Sequence, residues 1–342
     1  MLLPLAAMGQ YSISGRVIDY DTQKPIAAAS IFLSNASAGT VSGNDGTFKV
    51  AGVRGGQYVL VISVIGYAPY QQTIMVNNNL TLPDVKIAIQ AISLNEVRIG
   101  IDKHWAEHYA IFKEEFLGRS DNAKDCRILN PHAIDFTYNK EKGELTAIAS
   151  GFLNIENKAL GYKIKYQLSA FSKSNLLGTV YFEGTAFFED MQGRKGQVKR
   201  WKKNRQEAYL GSSMHFLRAA IANQVAEQGF MVERLIRKPN PAYTGGLNNK
   251  YIETLVTTPL SAADYVHLTN RKGEFAIQFN DCLNIVYNDE PLNTTVVTIN
   301  APYAFFDNNG IILNPQYIEM QGVWGESRMA ELLPVDYEPD ND

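Results

Sequence analysis

Residues 11–99 consist of short alternating apolar runs, and this rhythm constrains the fold more than any other feature of the chain. Gly, Asn, Asp and Pro interrupt the runs at intervals of about ten residues, and helical spacing of apolar residues is absent. Strands this short bury their apolar faces when two sheets pack against each other. We therefore expect a small β-sandwich, with strands at residues 12–18, 28–33, 47–50, 57–65, 71–76 and 85–89.

The polar residues of this region predict turns and no catalytic chemistry. Asn44, Asp45 and Gly46 tolerate positive φ angles and indicate a tight turn, and Pro25 fixes φ where the chain enters a strand. Asp45 is expected to form that turn, with calcium ligation as the alternative. The region contains no His and no Cys, so neither a nucleophile–base dyad nor a zinc cage can be assembled from it.

Several short motifs in this region, taken together, resemble a known family. In chain order they are Gly15-x-Val17, Asp21-Thr22, Pro25-Ile26, Ala29-x-Ile31-x-Leu33, Gly39-Thr40, Asp45-Gly46-x-Phe48, Gly56-x-Tyr58-x-Leu60 and Ser63-x-x-Gly66-Tyr67. The sequence here resembles the carboxypeptidase regulatory-like domain. The resemblance implies a transthyretin-like Greek-key β-sandwich without catalytic residues. The family is abundant in exported and outer-membrane proteins of the Bacteroidetes, so the resemblance also implies a cell-envelope protein.

Length and charge exclude several other classes. The chain has 342 residues, which at roughly 100 to 200 residues per domain predicts two domains. Its net charge is −3, and it has no block of five like charges. Nucleic acid is therefore not an expected partner, because phosphate binding needs a concentrated positive field. No apolar run reaches the roughly 18 residues of a membrane-spanning helix, so no transmembrane segment is predicted.

The N-terminus resembles part of an export signal. Residues 1–9 are almost wholly apolar and end in Ala7-Met8-Gly9, a small-x-small pattern, although no basic residue precedes them. We expect an exported protein in the periplasm, on the outer-membrane face or at the cell surface. The predicted division is residues 1–9, a signal-like leader remnant; 10–99, the regulatory-like sandwich; 100–330, an α+β domain of unknown function; and 331–342, an acidic, frayed tail.

The second domain mixes helical and strand patterns. Asp102 is expected to cap a helix that ends at Gly118, with one aromatic stripe facing the core and Lys113, Glu114 and Glu115 facing outward. Residues 162–170, 178–189 and 275–287 alternate as strands, whereas residues 201–228 predict a helix that Gly211 splits. The fold class is thus an N-terminal all-β Greek-key sandwich (transthyretin-like) followed by an α+β domain with antiparallel sheet.

A second resemblance covers the C-terminal part of the chain. It is similar to the corresponding region of Bacteroidetes proteins that carry a regulatory-like domain, and this similarity implies no activity. The shared strings are Trp105 with Phe112-Lys113-Glu114-Glu115-Phe116-Leu117-Gly118, Asn122-Ala123, Cys126-x-Ile128-Leu129-Asn130-Pro131, residues 155–164, Trp201-x-Lys203-Asn204-Arg205-x-Glu207-Ala208-Tyr209-x-Gly211-Ser212, and His215-Phe216-Leu217-Arg218.

One motif has the letters of a zinc peptidase signature. His104, Glu107 and His108 match the inverted pattern H-x-x-E-H, in which two imidazoles bind zinc and the carboxylate activates water. The later candidates for a third ligand, Glu183 and Glu189, fall in strand-like sequence. His215 with His104 and Glu107 also mimics the zinc carboxypeptidase ligand set. We expect no catalytic, cofactor-binding or metal-binding residues, and a zinc-dependent envelope hydrolase is the alternative.

Two features remain. Cys126 and Cys282 either pair as a disulfide in an oxidising compartment or stay as two buried thiols. The basic cluster between residues 194 and 205 is either a solvated surface or a contact for an anionic glycan, lipid or protein of the envelope. Its candidate contact residues are Lys199, Arg200, Lys202 and Lys203. The expected function is binding or scaffolding in the cell envelope, without catalysis or a cofactor.

Overall fold

The computed structural model describes residues 10–89, 102–245 and 250–339, and these divide into two compact units. The first unit contains residues 10–89 together with Thr185–Asp190 and Pro334–Tyr337. The second contains the other described residues. The predicted leader, at residues 1–9, lies outside the described residues. The predicted domain boundary, at residues 91–103, lies mostly outside them, so both stay predictions.

The first unit is all β. Its two sheets have four strands each, in the orders β4-β1-β7, with β8 also on β1, and β3-β2-β5-β6. The strands are β1 (Tyr11–Asp19), β2 (Ser30–Leu33), β3 (Gly39–Val41), β4 (Thr47–Val53), β5 (Gly56–Ser63), β6 (Tyr70–Val76), β7 (Leu80–Thr81) and β8 (Val85–Ile87).

Alternation along these strands builds the apolar core. Ile13 and Val17 of β1 and Leu60 and Ile62 of β5 have no exposed surface, because strand residues two apart share a face. The predicted sandwich is confirmed, and all six predicted runs contain strands; the Greek-key connection stays a prediction. Asp45 forms the expected turn, since its Oδ1 accepts hydrogen bonds from the N–H (3.0 Å) and hydroxyl (2.7 Å) of Thr47.

Two later segments complete this unit. The N–H groups of Asn35 and Phe188 donate to the carbonyls of Ala186 and Ala36 (2.7 and 3.0 Å), which adds a strand segment beside residues 35–36. The N–H of Val335 donates to the Asn35 carbonyl (2.6 Å), and Val335 is buried. The expectation of a frayed tail is therefore wrong for residues 334–337, because apolar burial and backbone hydrogen bonds fix them.

The second unit contains helices and antiparallel sheets. Its elements are α1 (Trp105–Leu117), α2 (Asp121–Lys124), β9 (Cys126–Ile128), β10 (Ile134–Asn139), β11 (Glu144–Ala149), β12 (Leu153–Asn157), β13 (Tyr162–Ser174), β14 (Thr179–Asp190, the last six residues of which belong to the first unit), α3 (Lys195–Tyr209), α4 (Ser213–Ile221), β15 (Phe230–Pro239), β16 (Tyr251–Val256), β17 (Val266–Leu268), β18 (Glu274–Ile277), β19 (Cys282–Tyr287), β20 (Thr294–Ile299), β21 (Ala304–Asp307), β22 (Ile318–Gly322) and α5 (Val323–Glu326).

The described strands of this unit form three sheets. The first has the order β10-β11-β13-β12-β9, with β14 also on β13; the second has the order β16-β15-β19-β20-β22; the third has the order β17-β18-β21. The strand pairs with a described register are antiparallel here, which confirms the predicted α+β class. The predicted strand at residues 275–287 is two strands, because Asp281 adopts a left-handed φ of 63° between them.

Helix α1 packs its aromatic stripe against the first of these sheets. Phe112 and Phe116 have no exposed surface, and their rings contact Phe171 and Tyr166 (centroids 4.7 and 5.3 Å apart). The prediction that Asp102 caps the helix is wrong: His104 is the N-cap residue, its side chain makes no capping hydrogen bond, and the Asp102 carboxylate accepts from the His104 N–H (3.0 Å) just before the helix. Gly118 ends the helix at a φ of 101°, as expected. The outward orientation expected for Glu115 is wrong: this side chain is buried.

Candidate functional site

Helix α3 carries the basic cluster and starts earlier than the sequence predicts. Its first residue is Lys195, whereas the apolar periodicity begins only at Trp201. The Gln197 side chain accepts a hydrogen bond from the Arg194 N–H (3.0 Å), which fixes the first turn. The start is hard to predict because Trp201 and Tyr209 are the two buried residues of a 15-residue helix.

The inner face of α3 binds a row of backbone carbonyls. Trp201 Nε1 donates to the Lys158 carbonyl (2.9 Å), and Asn204 Nδ2 donates to the carbonyl of residue 159 (2.9 Å). Arg205 reaches the next two carbonyls, with Nε 2.7 Å from the oxygen of residue 160 and Nη2 3.2 Å from that of residue 161. Three side chains of the helix thus satisfy four consecutive acceptors of the turn between β12 and β13.

That turn is itself built to receive the helix. Asn157 is fully buried; its Oδ1 accepts from the Leu160 N–H (3.0 Å) and its Nδ2 donates to the Ala330 carbonyl (2.9 Å). Gly161 has a φ of 73°, and a Cβ there would lie 2.2 Å from the Trp201 ring. The strings around residues 155–164 and 201–205 that carried the second resemblance are therefore a structural clamp that fixes the orientation of α3.

The outer face of α3 presents the candidate contact residues to solvent. The clamp turns Trp201 inward, and the exposed residues of the helix include Lys199, Arg200, Lys202 and Lys203. Lys195 extends this face because residues four apart lie on the same side of a helix. The helix holds six basic residues and one acidic residue, Glu207, whose Oε1 lies 3.5 Å from Lys203 Nζ. We call residues 195, 199, 200, 202 and 203 the α3 basic face.

A shallow depression lies at the first turn of this helix. Its volume is about 660 Å³, and it is lined by Arg194, Gly196, Gln197 and Arg200. The two guanidinium groups and the N-terminal end of the helix make the local potential positive. The depression is open to solvent and extends the α3 basic face at one end.

The histidines of the zinc-like motif pair with their own carboxylates. His108 Nδ1 lies 2.7 Å from Asp102 Oδ2, and both side chains are largely buried. His104 Nδ1 lies 3.2 Å from Glu107 Oε2, and both are exposed. The two imidazole rings are 6.1 Å apart. Glu107, which would activate water in a peptidase, is thus a partner of His104.

His215 lies in a different environment, inside the second unit. Its Nδ1 accepts from the Gly211 N–H (3.1 Å), so its proton sits on Nε2 and is donated to Gln228 Oε1 (3.1 Å). Burial lowers the pKa of His215, Gln228 opposes the shift and Arg218 adds to it. The ring packs against Phe230 (4.9 Å between centroids) and is a neutral core histidine.

The other metal candidates do not assemble either. Glu183 and Glu189 lie on strand β14, as the sequence predicts. Within the described residues, no group of three or more His, Cys, Asp or Glu side chains could hold a metal ion. Cys126 and Cys282 are both free and buried, so the two-thiol alternative holds. Burial raises the pKa of Cys126 to about 12, with a smaller contribution from Glu331.

Comparison with known proteins places the first unit. Its β-sandwich places it in the class of small all-β domains. Residues 13–99 match the family model of the CarboxypepD_reg-like domain. The chain therefore carries a CarboxypepD_reg-like domain at its N-terminal end, which confirms the resemblance. The search of curated proteins found no match for the chain. Across the part of the chain that the structure describes, no helix is long and apolar enough to cross a membrane.

Solved structures with detectable similarity are distant. A cohesin–X-dockerin complex mutant from Acetivibrio cellulolyticus is 15% identical over 23% of this chain and 58% of its own, with a TM-score of 0.22. A group B streptococcus pilus 2b backbone protein is 19% identical over 23% of this chain and 41% of its own (TM-score 0.20). A DUF3823 family protein from Bacteroides ovatus is 13% identical over 54% of this chain and 83% of its own (TM-score 0.20). This chain thus spans less than two thirds of the first two structures, and TM-scores this low support no functional argument.

Proposed function

We propose that this protein is a non-catalytic binding protein of the bacterial cell envelope, which holds an anionic polysaccharide through the α3 basic face. The observation that carries the proposal is the clamp. Because Trp201, Asn204 and Arg205 are committed to the turn at residues 158–161, the helix cannot rotate, and its lysines and Arg200 face solvent. A fixed array of cations attracts a polyanion without the entropic cost of ordering the helix first.

The shape and chemistry of this face favour a linear polymer over a bilayer. Lys195, Lys199 and Lys203 repeat every four residues, which places their Cα atoms about 6 Å apart along the helix axis. A helix that lies in a membrane needs a broad apolar face directed at the lipid. The large aromatic residues of α3, Trp201 and Tyr209, are buried inside the second unit. Charge is therefore the main attraction that this surface offers.

The zinc hydrolase remains the alternative function. It would need His104 and His108 to turn towards one metal together with a third ligand. Each of these imidazoles instead has a carboxylate partner at 3.2 or 2.7 Å, and His215 is held by Gly211 and Gln228. These contacts favour binding over hydrolysis as the function. The envelope location is part of the proposal, supported by the sandwich family at residues 13–99.

The test neutralises the α3 basic face and measures binding to polygalacturonate, a linear anionic polysaccharide, by calorimetry. We expect the variant K199Q/R200Q/K202Q/K203Q to bind at least about tenfold more weakly at low salt, because exposed charge pairs contribute several tenths of a kcal/mol each. Raising the salt should weaken wild-type binding, since charges are screened over about 8 Å at physiological ionic strength. The melting temperature should hardly change.

A second quadruple variant controls for net charge. Lys24, Lys49, Lys238 and Lys272 are exposed lysines that do not belong to α3. Replacing all four by Gln removes the same charge and should leave binding nearly intact. The proposed site would be overturned if both variants lost the same binding affinity, or if wild-type affinity did not change with salt concentration. Recovery of the native protein in the cytoplasm after cell fractionation would overturn the envelope location.

A further inference from the structure

The second unit carries two adjoining clefts that meet at Leu260. The smaller has a volume of about 330 Å³ and the larger about 780 Å³, and Leu260 lines both. Both volumes lie in the range of roughly 300 to 1,000 Å³ that is typical of ligand-binding clefts in proteins. The ridge between them is fixed, because the Leu260 N–H donates to the Val232 carbonyl (2.7 Å). We call the two clefts together the Leu260 groove.

Polar side chains without protein partners line the smaller cleft. His267, Gln278 and Asn280 are exposed there, and across the described residues none of their side chains makes a hydrogen bond. Phe279, between the two amide residues, is half-buried and lines the same cleft. The Gln278 N–H donates to the Tyr265 carbonyl (3.0 Å), which holds this segment in place. The cleft thus combines an aromatic ring with two amides, each of which can donate and accept hydrogen bonds.

The Leu260 groove is negative on balance. Arg234 lines the smaller cleft, but its Nε donates to Asp281 Oδ2 (2.8 Å), and this carboxylate neutralises its charge. Asp264 adds a further carboxylate to the same cleft. Glu227 and Asp289 line the larger cleft, and neither has a partner among the described residues. The groove therefore disfavours an anionic polymer, which is the ligand proposed for the α3 basic face.

We propose that the Leu260 groove binds a neutral oligosaccharide, with one sugar ring packed on Phe279 in the smaller cleft and the next sugars in the larger cleft. A pyranose presents C–H groups on its faces and hydroxyls around its edge. The aromatic ring complements the C–H groups. The amides of Gln278 and Asn280 and the carboxylate of Asp264 complement the hydroxyls, because a hydroxyl both donates and accepts hydrogen bonds.

A cationic ligand such as a polyamine is the other class that a negative groove attracts. Ammonium groups donate hydrogen bonds but cannot accept them, so they would leave the amide N–H groups of Gln278 and Asn280 unpaired. The described carboxylates also do not gather into a group of three or more that could hold a metal ion. The unpartnered amides and the aromatic ring therefore favour a sugar. This site shares no residue with the α3 basic face and does not depend on it.

The experiment titrates the full chain with four neutral hexasaccharides, namely maltohexaose, cellohexaose, mannohexaose and xylohexaose, by calorimetry. We expect at least one to bind, and Q278A/N280A to bind it at least about tenfold more weakly, because two groups that pair with hydroxyls are lost. The matched control is N175A/Q316A, which removes one exposed Asn and one exposed Gln that line neither cleft. The control should bind like the wild type, and both variants should melt near the wild-type temperature.

Phe279 provides a second readout that a purely polar site would not show. Phe279→Tyr should retain hexasaccharide binding because it keeps the aromatic face. Phe279→Leu should bind at least about fivefold more weakly, since leucine keeps the apolar character but has no flat ring. Equal affinities of these two variants would contradict the packing of a sugar ring on residue 279.

Salt and the α3 variant separate this site from the polysaccharide site. Hexasaccharide binding should not weaken as salt rises, because the ligand is uncharged. The variant K199Q/R200Q/K202Q/K203Q should retain it. The inference would be overturned if none of the four hexasaccharides bound, or if Q278A/N280A bound them like the wild type. Binding of spermine without binding of any hexasaccharide would assign the groove to a cationic ligand instead.

Discussion

Glu115 shows at the scale of one residue how context decides burial. It follows two charged residues on α1, yet its side chain is buried and contacts Lys173 Nζ (2.5 Å) and Arg119 Nη2 (3.0 Å). Burial opposes ionisation, but the hydrogen bond and charge of Lys173, with Arg119 and Arg328, outweigh it and hold the pKa of Glu115 below its ordinary value. Lys173 lies on β13, and no local pattern on α1 indicates this partner.

The lowered pKa predicts a pH-dependent contribution to stability. The folded protein binds fewer protons at Glu115 than the unfolded chain does, so the contribution is complete above the ordinary carboxyl pKa and is lost as pH falls through the folded value. We expect Glu115→Gln to lower the free energy of unfolding by about 2 kcal/mol at pH 7. The reason is that Lys173 and Arg119, which are partly solvated, lose a buried anionic partner. The difference from wild type should shrink towards about pH 3.

The neighbouring residue provides the control. Glu114 also contacts Arg119, but it is exposed, so Glu114→Gln should change the unfolding free energy by less than about 0.5 kcal/mol. Urea denaturation between neutral and acidic pH measures both variants. A Glu115→Gln deficit that stays constant over this range would contradict the assigned pKa shift.

At the scale of elements, the orientation of α3 depends on Gly161. The residue combines a left-handed φ of 73° with the close approach of Trp201, so Gly161→Ala adds both backbone strain and a clash with the ring. We expect it to lower the free energy of unfolding by at least about 3 kcal/mol, since the strain alone contributes about 1 to 2 kcal/mol. It should also weaken polysaccharide binding at temperatures where the variant is still folded, because the helix loses its fixed orientation.

Gly151 separates strain from clash. Its φ is 88°, but nothing lies within 4 Å of a Cβ placed there. Gly151→Ala should therefore add only the backbone strain of about 1 to 2 kcal/mol and leave polysaccharide binding unchanged. Chemical denaturation and calorimetry provide the two readouts. If both alanine variants were equally stable, the contact between residue 161 and Trp201 would not matter.

Elements with local signals were predictable from the sequence, and elements defined by distant partners were not. Gly118 ends α1, and Gly211 at a φ of 77° with Ser212 as the next N-cap splits α3 from α4, as predicted. The strands β3 and β7 were missed because three and two residues carry no periodicity. The basic face of α3 was identified by composition. The clamp that fixes it was not, since it joins residues 158–161 to a helix about 40 positions later.

At the scale of the molecule, the first unit is built from three separate stretches of chain. Residues 10–89 supply its two sheets, and residues 185–190 and 334–337 belong to the same unit. Besides the backbone bonds at Asn35 and Ala36, the hydroxyl of Ser37 donates to Asp336 Oδ2 (2.6 Å). Sequence patterns predicted a contiguous domain at residues 10–99, because pairing between segments about 150 and 300 positions apart leaves no local trace.

This three-part unit changes what a cut in the chain should do. Strand periodicity ends at Ile89 and helical periodicity begins after Asp102, so we expect limited proteolysis to cut first within residues 91–103. A cut there separates residues 10–89 from the two segments that complete their unit. The fragments should nevertheless co-elute on size-exclusion chromatography under native conditions, because Ala186, Phe188 and Val335 are buried in the folded chain and would become exposed on separation.

The variant S37A/D336A should shift this equilibrium. It removes the side-chain hydrogen bonds between residues 37 and 336 and leaves the backbone of both stretches intact. The nicked variant should dissociate at a lower urea concentration than the nicked wild type, while Ser63→Ala, on a strand away from residue 336, should not change it. Spontaneous separation of the wild-type fragments would show that residues 10–99 fold without the later segments. A first cut inside β13 would show that the predicted boundary is misplaced.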